Sequence, residues 1–258
     1  MGRRAEKADA SLSKIRWHTN RETRYPFGDR SPDPEWFEPI GIPPPWPDRP
    51  WIYGVVVASG NGVLAWRRRG VEDDPVITAL GDSWRPERIA DSRHLRHLRG
   101  FGDVGLGAQT LRDQPRLVPS PQELDDPPVP ALYRFREAHG LPHHPRAIIY
   151  SVQGGLDVIA ERVVEPPGLR RAHERLFADR GVRYLACEGG ERILRALHAA
   201  ELLDEVFVTV TDQVIDEAPH EGVLKIFDFE SEGADLTAEG KTSPSRDWTF
   251  RRWRFNTH

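Results

Sequence analysis

The sequence has few of the features that mark secreted or membrane proteins. It contains a single cysteine, Cys187, so an intrachain disulfide is impossible and a reducing compartment is favoured. Its apolar runs all fall short of the roughly 20 residues that a membrane-spanning helix requires, and residues 1–6 lack the apolar core of a signal peptide. These absences predict a cytoplasmic protein without a membrane partner.

An excess of charge of one sign is also lacking. The 36 basic and 40 acidic residues leave a formal net charge of −4, so the composition does not favour a nucleic-acid partner. Neither a Walker loop nor a G-x-S-x-G nucleophile motif occurs in the sequence. With 258 residues the chain has room for one large domain or two small ones.

Proline is abundant, with 23 residues, many of them in the first 50 positions. Because proline lacks an N–H and favours extended backbone, residues 1–49 are predicted to form a proline- and aromatic-rich extension, and residues 50–258 to form the folded domain. The extension either covers apolar surface or acts as a dimer strap or a lid over a site. The proline-rich stretch 115–145 is predicted to be a long connection.

In the folded domain, apolar runs of strand length alternate with amphipathic segments. Strands are predicted at 51–58, 63–66, 103–107, 146–151, 182–187 and 205–210, and helices at 83–99, 169–180 and 190–200. Two further strands, 224–229 and 248–255, have no helix between them and are predicted to form an antiparallel hairpin. The alternation predicts an α/β fold with a mostly parallel central sheet flanked by helices and an antiparallel C-terminal edge.

Two glycine-containing turns follow predicted strands. Glu188-Gly189-Gly190 stands directly before a predicted helix, where glycines let a ligand approach the main chain and free N–H groups face an anion. Gly107-Ala108-Gln109-Thr110 ends another strand, at the position where open α/β sheets bind ligands. The first turn predicts a backbone site for a phosphate. The second is either a contact for a phosphate or ribose oxygen or a plain helix cap.

Two other patterns favour a structural interpretation. Gly100, Gly102 and Gly105 match G-x-G-x-x-G by letter, but they follow a helix and open a strand, the reverse of a dinucleotide fingerprint. His94 and His97 lie three residues apart on a predicted helix and could face a metal ion. The arginines of the same helix would repel a cation, so a solvated helix face is predicted and no metal site.

The order of these patterns resembles a known family. The ordered set is Ser59-Gly60-Asn61-Gly62, Gly81-Asp82-Ser83-Trp84, Leu95-Arg96-His97-Leu98-Arg99, Gly102-Asp103, Gly107-Ala108-Gln109-Thr110-Leu111-Arg112-Asp113-Gln114-Pro115-Arg116-Leu117, Cys187-Glu188-Gly189-Gly190 and Leu202-Leu203-Asp204-Glu205. Over residues 50–256 it is similar to the C-terminal reductase domain of the bifunctional riboflavin-biosynthesis deaminase/reductase. The resemblance implies a dihydrofolate-reductase-like fold, NADPH as cofactor, reduction of the ribose of a phosphoribosylamino-pyrimidine, and a homodimer.

The resemblance also implies roles for individual residues. The cofactor side would consist of Gly107, Ala108, Thr110, Asp113, Gly189, Gly190, Arg192 and Ile193. The substrate side would consist of Ser59, Asn61, Arg116 and Glu188, with Asn61 and Glu188 at the positions implied to be catalytic. Set beside Gly107–Thr110 and Asp204-Glu205, the Glu188–Gly190 turn is predicted to form one wall of a nicotinamide site.

Three positions depart from the family's pattern. Asn61 stands where the family has an aspartate, and an amide neither ionises nor donates a carboxylic proton. Val118-Pro119 follows Leu117 where the family usually has a basic residue towards the substrate phosphate, and Glu191 adds a negative charge near the predicted cofactor phosphate. A reductase with another substrate, or a cofactor-binding dimer without catalysis, is therefore an alternative to the pyrimidine reductase.

Overall fold

The structure is a computed structural model, which describes residues 14–20, 43–68, 71–76, 85–113, 117–120, 130–151, 161–163, 168–243, 245 and 247–256. In chain order the elements are β1 (Lys14–Asn20), β2 (Trp51–Ala58), β3 (Val63–Arg68), β4 (Val71–Pro75), α1 (Pro86–Gly100), β5 (Asp103–Gly107), α2 (Ala108–Asp113), α3 (Pro130–Ala138), β6 (Ala147–Tyr150), β7 (Glu161–Val163), α4 (Leu169–Arg180), β8 (Tyr184–Cys187), α5 (Glu191–Ala199), β9 (Glu205–Val210), β10 (Glu221–Lys225), β11 (Ala234–Ser243) and β12 (Thr249–Phe255). Among the described helices, none is long and apolar enough to cross a bilayer.

Among the described residues, the central sheet has nine strands in the order β1-β11-β12-β9-β2-β8-β5-β6-β7. The strands from β9 to β7 run parallel to one another, and β12, β11 and β1 pair antiparallel at one edge. A second sheet has three antiparallel strands in the order β10-β3-β4. The predicted α/β fold, with a mostly parallel sheet and an antiparallel edge, is confirmed.

Strand β2 shows why the central strands are apolar at nearly every position. Ile52 packs on one side in a cluster with Leu176 of α4 and Leu194 of α5, and its side chain is fully buried. Tyr53 packs on the other side with Leu98 of α1, and it is also fully buried. Because helices cover both faces, the strand cannot alternate apolar and polar residues.

Helix α1 corrects one prediction from the sequence, because the solvated face expected at His94 and His97 is wrong. His94 is 3% exposed and lies edge-on to Phe207 and Phe250, and His97 is fully buried edge-on to Phe101. Burial lowers the pKa of each histidine to about 3, so the two rings pack in the core as neutral aromatic groups. Within the described part of the chain, no group of three or more His, Cys, Asp or Glu residues is arranged to hold a metal ion.

The predicted C-terminal hairpin of 224–229 with 248–255 is also wrong. Strand β10 pairs with β3 in the small sheet, and the neighbour of β12 is β11. The sequence of β11, ADLTAEGKTS, is polar enough to resemble a turn. It forms a strand because β12 and β1 pair with it on its two sides. Likewise, helix α3 lies inside the predicted connection 115–145, and it buries Leu132 and Phe135.

Part of the predicted N-terminal extension belongs to the central sheet. Strand β1 pairs antiparallel with β11, with Trp17 opposite Gly240. Ile15 of β1 is 3% exposed and packs in a cluster with Trp248 and Phe250. The described part of the extension therefore covers apolar surface of its own domain, whereas residues 21–42 lie outside the described residues.

Candidate functional site

The two predicted glycine turns meet at the carboxyl edge of the central sheet. Strands β5 and β8 are parallel neighbours, so Gly107 and Gly189 come after strands that end at the same edge. A Cβ atom added to Gly107 would lie 3.4 Å from Cδ1 of Ile193, and one added to Gly189 would lie 2.6 Å from the same atom. Three residues predicted for the cofactor side are thus brought together, and Gly189 is needed for the close approach of Ile193.

Helix α5 begins beside these turns with an open side. Its N-cap residue, Gly190, has extended backbone, and no side chain caps it in the described part of the chain. A Cβ atom on Gly190 would meet nothing within 4 Å. Glu191 forms an ion pair with Arg195 one turn further along, so the negative charge that departs from the family's pattern is balanced. Arg192 is exposed.

The remaining residues of the predicted cofactor side lie on α2. Ala108, which is 8% exposed, begins this helix directly after β5. Thr110 is partly exposed, and Asp113 is the last residue of the helix. Arg116 and the Gly81–Trp84 segment lie outside the described residues, so the substrate-side prediction for Arg116 stays a prediction.

Glu188 is held by Arg99, which lies in the Leu95–Arg99 segment of the resemblance but has no role in the site predicted from it. Nε and Nη2 of Arg99 donate to the two carboxylate oxygens of Glu188 at 2.6 and 2.7 Å. The side chains of Arg99 and Glu188 are 11% and 12% exposed. Nη1 of Arg99 donates to the carbonyl oxygen of Ser120 at 3.1 Å. Two charge-assisted hydrogen bonds from one guanidinium therefore fix the orientation of the carboxylate that is predicted to face the substrate.

Asn61 ties the Ser59–Gly62 turn to the segment that follows β9. Its Oδ1 accepts hydrogen bonds from Oγ of Ser59 at 2.7 Å and from the N–H of Ile215 at 3.1 Å. Its Nδ2 donates to the carbonyl oxygen of Ile215 and to Oε1 of Glu217, both at 3.0 Å. An aspartate could not make the last two bonds, because its ionised carboxylate has no donor. The amide at this position thus has a structural explanation.

Asp204 and Glu205 lie away from the predicted nicotinamide wall. They stand at the start of β9, whereas Glu188 follows the end of β8. Asp204 accepts hydrogen bonds from Arg49 at 2.7 and 2.8 Å, and Glu205 pairs with Arg252 at 2.8 Å. Both carboxylates are fully buried. The pair that the sequence pattern set beside the predicted wall therefore holds the start of β9.

A tyrosine–histidine pair beneath the turns was also missed. Tyr150 is the register partner of Gly107, and its hydroxyl lies 2.9 Å from Nε2 of His173. Nδ1 of His173 lies 2.8 Å from the carbonyl oxygen of Leu169, so Nδ1 carries the proton and Nε2 accepts from Tyr150. Burial lowers the pKa of His173 to about 4 and raises that of Tyr150. A Cβ atom on Gly105 would lie 2.8 Å from Cε2 of Tyr150. Gly105 is therefore the residue in the sequence that could have indicated the close packing of Tyr150 on β5.

An open groove lies along α3 and the segment that follows it. It has a volume of about 680 Å³ and runs along α3, where Tyr133, Arg134, Glu137 and His143 line it. The hydroxyl of Tyr133 lies 2.8 Å from Oγ of Ser120, the residue whose carbonyl oxygen accepts from Arg99. The groove therefore adjoins the Arg99–Glu188 pair through the 117–120 segment.

The architecture is that of the reductases to which the sequence shows its resemblance. A pyrimidine reductase-like protein from Corynebacterium diphtheriae has a TM-score of 0.55 at 19% identity, covering 80% of this chain and 92% of its own. RibD from Acinetobacter baumannii (form 1) has a TM-score of 0.53 at 12% identity, covering 81% of this chain and 58% of its own. These likenesses confirm the fold.

A bifunctional protein has the same architecture in one part. The diaminohydroxyphosphoribosylaminopyrimidine deaminase/5-amino-6-(5-phosphoribosylamino)uracil reductase from Thermotoga maritima has a TM-score of 0.51 at 14% identity, covering 80% of this chain and 56% of its own. The chain thus spans a little over half the length of this protein and of the RibD chain. No protein-family model and no curated protein sequence matches the chain.

Proposed function

We propose that the protein is an NADPH-dependent reductase whose substrate is a phosphoribosylamino-pyrimidine of riboflavin biosynthesis. The observation that carries the proposal is the convergence of Gly107 and Gly189 on Ile193, beside the open side of Gly190. This convergence lies at the carboxyl edge of a parallel sheet, where α/β folds bind nucleotides. The solved reductases that share the fold support the reaction class.

The residues at this edge fit the phosphate of a nicotinamide dinucleotide. The open space at Gly190 lets an anion approach the backbone, and the first turn of α5 offers N–H groups and the positive end of a helix dipole. Arg192 adds an exposed cation. Ala108 and Thr110 begin the neighbouring helix α2, where a hydroxyl and backbone N–H groups suit ribose or phosphate oxygens.

The substrate side would orient a polar ligand and leave the redox chemistry to the cofactor. NADPH, when bound, supplies the hydride. Glu188 is an acceptor for substrate hydroxyl or N–H groups, and Arg99 fixes where its oxygens lie. A fixed carboxylate contributes orientation, which accounts for much of the rate enhancement when no protein nucleophile takes part.

Asn61 favours a second candidate, a reductase of the same fold with another substrate. The two donors and two acceptor positions of its amide are all occupied within the protein. The predicted substrate side therefore lacks the carboxylate that the family's aspartate would provide. A non-catalytic NADP-binding dimer is the third candidate. The homodimer itself stays a prediction from the resemblance.

The test compares two glycine substitutions in the full chain. Gly190→Ala places a methyl group in open space and should weaken NADPH binding about 10-fold or more, because it blocks the approach to the backbone. Gly100→Ala, whose Cβ atom would make an ordinary 3.5 Å contact with Leu132, is the control and should leave binding unchanged. NADPH affinity is measured by fluorescence titration, and turnover is measured with the pyrimidine substrate.

Each result decides between the candidates. Micromolar NADPH binding that Gly190→Ala weakens, together with turnover of the pyrimidine, supports the proposed reaction. Binding without turnover of this pyrimidine, but with turnover of another carbonyl or imine substrate, supports the second candidate. If the wild-type chain does not bind NADPH at micromolar concentration, the cofactor assignment is wrong.

A further inference from the structure

We propose that Arg99 is the positioning residue of the substrate side, and that its guanidinium assembles the site by holding the carboxylate of Glu188. This inference rests on the proposed function for the reaction, but the contact itself can be tested without a ligand. Arg99 is not among the residues that the sequence pattern or the family resemblance assigned to the site.

Three segments far apart in the sequence meet at this one guanidinium. Arg99 belongs to the last turn of α1, Glu188 follows β8, and Ser120 lies in the segment after α2. The three guanidinium nitrogens of Arg99 donate hydrogen bonds, two of them to the carboxylate of Glu188 at 2.6 and 2.7 Å and one to the carbonyl oxygen of Ser120 at 3.1 Å. The guanidinium therefore fixes the position of Glu188 relative to α1 and to the 117–120 segment.

The arrangement requires an arginine rather than a cation in general. A guanidinium presents its donors in a planar fork that matches a carboxylate, whereas an ammonium is a point charge on a flexible stem. Lysine at position 99 could keep the ion pair. It could not make the bidentate contact with Glu188 and bond the Ser120 carbonyl oxygen in the same plane.

The backbone that carries Arg99 is itself clamped. Nη1 of Arg136 lies 3.1, 3.2 and 2.8 Å from the carbonyl oxygens of Arg99, Gly100 and Gly102. Arg136 is fully buried, and the hydroxyl of Tyr53 donates to the carbonyl oxygen of Leu98 at 2.7 Å. The end of α1 therefore cannot shift freely, and the direction of the Arg99 side chain is set by the core.

The Arg99–Glu188 ion pair is buried enough that the loss of one charge affects the stability contributed by the other. Because both side chains are nearly nine-tenths buried, removal of one leaves the other as a mostly desolvated charge. Removal of both leaves no unpaired charge. Coupling of this kind distinguishes a positioning contact from two independent polar groups.

The experiment uses Arg99→Lys, Arg99→Met, Glu188→Met and the double variant Arg99→Met/Glu188→Met. Arg251→Met is the matched control, because Arg251 forms an ion pair with Glu239 at 2.8 Å on the exposed side of β12. Melting temperature, NADPH affinity, kcat and KM are measured for each. For Arg99→Met, turnover is also measured with added guanidinium chloride below denaturing concentration.

The expected result has two parts. In the melting experiment, the double variant loses less than the sum of the two single variants. In the kinetic experiment, Arg99→Lys lowers kcat about 10- to 100-fold, the size of effect expected from a misplaced catalytic group, with NADPH affinity within twofold of wild type. Added guanidinium restores part of the turnover of Arg99→Met, and Arg251→Met behaves as wild type in every activity measurement.

Different measurements would contradict the positioning role of Arg99 and the proposed reductase activity. Additive losses in melting temperature would show that Arg99 does not hold Glu188, whatever the protein catalyses. Normal kcat in Arg99→Lys, with an active wild type, would overturn the positioning role and leave the reductase intact. A wild type that reduces nothing would remove the proposed function, together with the substrate-side role, and leave the melting result to decide the contact.

Discussion

The two edges of the central sheet use charge in opposite ways. At the amino edge, where the parallel strands begin, Asp204 pairs with Arg49 and Glu205 with Arg252, and all four side chains are at most 5% exposed. At the carboxyl edge, glycine turns leave backbone open at Gly190. One edge is thus closed by buried ion pairs, and the other has open backbone at Gly190, where we propose that the cofactor binds.

Helix direction explains this division. Helices that connect parallel strands run back across the sheet, so their C-terminal carbonyl oxygens gather at the amino edge. Arg136 bonds the carbonyl oxygens at the end of α1, and Arg146 donates to that of Arg180 at the end of α4. Arginines thus neutralise the negative helix ends at the amino edge. The N-terminus of α5 lies at the other edge, where an anion would do the same for it.

The most severe test of the amino edge is Glu205→Ala. It leaves Arg252, whose side chain is 2% exposed, without its carboxylate, so we expect a loss of about 3–5 kcal/mol in the free energy of unfolding. Urea denaturation measures it. Glu239→Ala, which breaks the exposed Arg251 pair, is the control and should cost at most about 1 kcal/mol. Equal losses in the two variants would contradict the contrast between the edges.

Acid should destabilise the protein through its buried histidines. Burial lowers the pKa of His173 to about 4 and that of His97 to about 3, whereas an unfolded histidine titrates near 6.5. The unfolded state therefore binds more protons below pH 6.5, so stability is fully present above that pH and is lost as the pH falls towards 4. Each such histidine should cost about 2 kcal/mol at pH 5.

Urea midpoints at pH 7 and pH 5 measure this loss. His97→Phe keeps an aromatic ring in the core beside Phe101 and should reduce the difference between the two midpoints. The exposed His143, replaced by Phe, should leave the difference unchanged. A His97→Phe variant as acid-sensitive as the wild type would show that this histidine does not control acid stability.

The two glycines of the Glu188–Gly190 turn should respond differently to an added methyl group, because Gly189 packs against Ile193 and Gly190 does not. Gly189→Ala would place its methyl group 2.6 Å from Cδ1 and 2.9 Å from Cβ of Ile193, so we expect a loss of about 1–3 kcal/mol through overpacking. Gly190→Ala should cost less than about 0.5 kcal/mol, since its Cβ atom meets no neighbour. Thermal denaturation of both variants checks the pair. The reverse ranking would contradict the close approach of Ile193 to Gly189.

A smaller loss than that of Glu205→Ala or Gly189→Ala is expected at the Ser59–Gly62 turn. Asn61→Asp replaces two donated hydrogen bonds by a carboxylate beside Oε1 of Glu217 and the carbonyl oxygen of Ile215, at a cost of about 1 kcal/mol at neutral pH. Adding Glu217→Gln should recover part of the loss in urea denaturation. If Asn61→Asp instead raises stability and turnover, the amide is not a structural adaptation.

The elements that the sequence predicts well depend on local patterns. The apolar runs of β2 and β9 extend over the predicted residues, and helix α4 ends before Gly181, which has a φ of 65°. The glycines at 107, 189 and 190 are recognisable because turns and helix starts require nearby residues only.

The features that were missed depend on contacts between distant residues. Nothing local distinguishes Arg99 from Arg96 before α1 is packed, and Arg99 and Glu188 are 89 residues apart in the sequence. Histidine is a polar residue type, yet His94 and His97 are buried as neutral rings because aromatic neighbours surround them. Strand β11 alternates small or apolar residues with polar ones, but Leu236 is its only large apolar side chain. The pattern is therefore weak, and pairing with β12 and β1 completes the strand.

The pairing of β1 with β11 imposes an order on folding. Trp17 lies opposite Gly240, so nearly the whole chain separates the two strands, and the closing of such a long loop is slow. During synthesis β1 leaves the ribosome before its partner β11 is made. Until then its apolar residue Ile15, which is buried in the folded protein, is open to pairing with other chains. We therefore expect the nascent chain to need protection at its first strand.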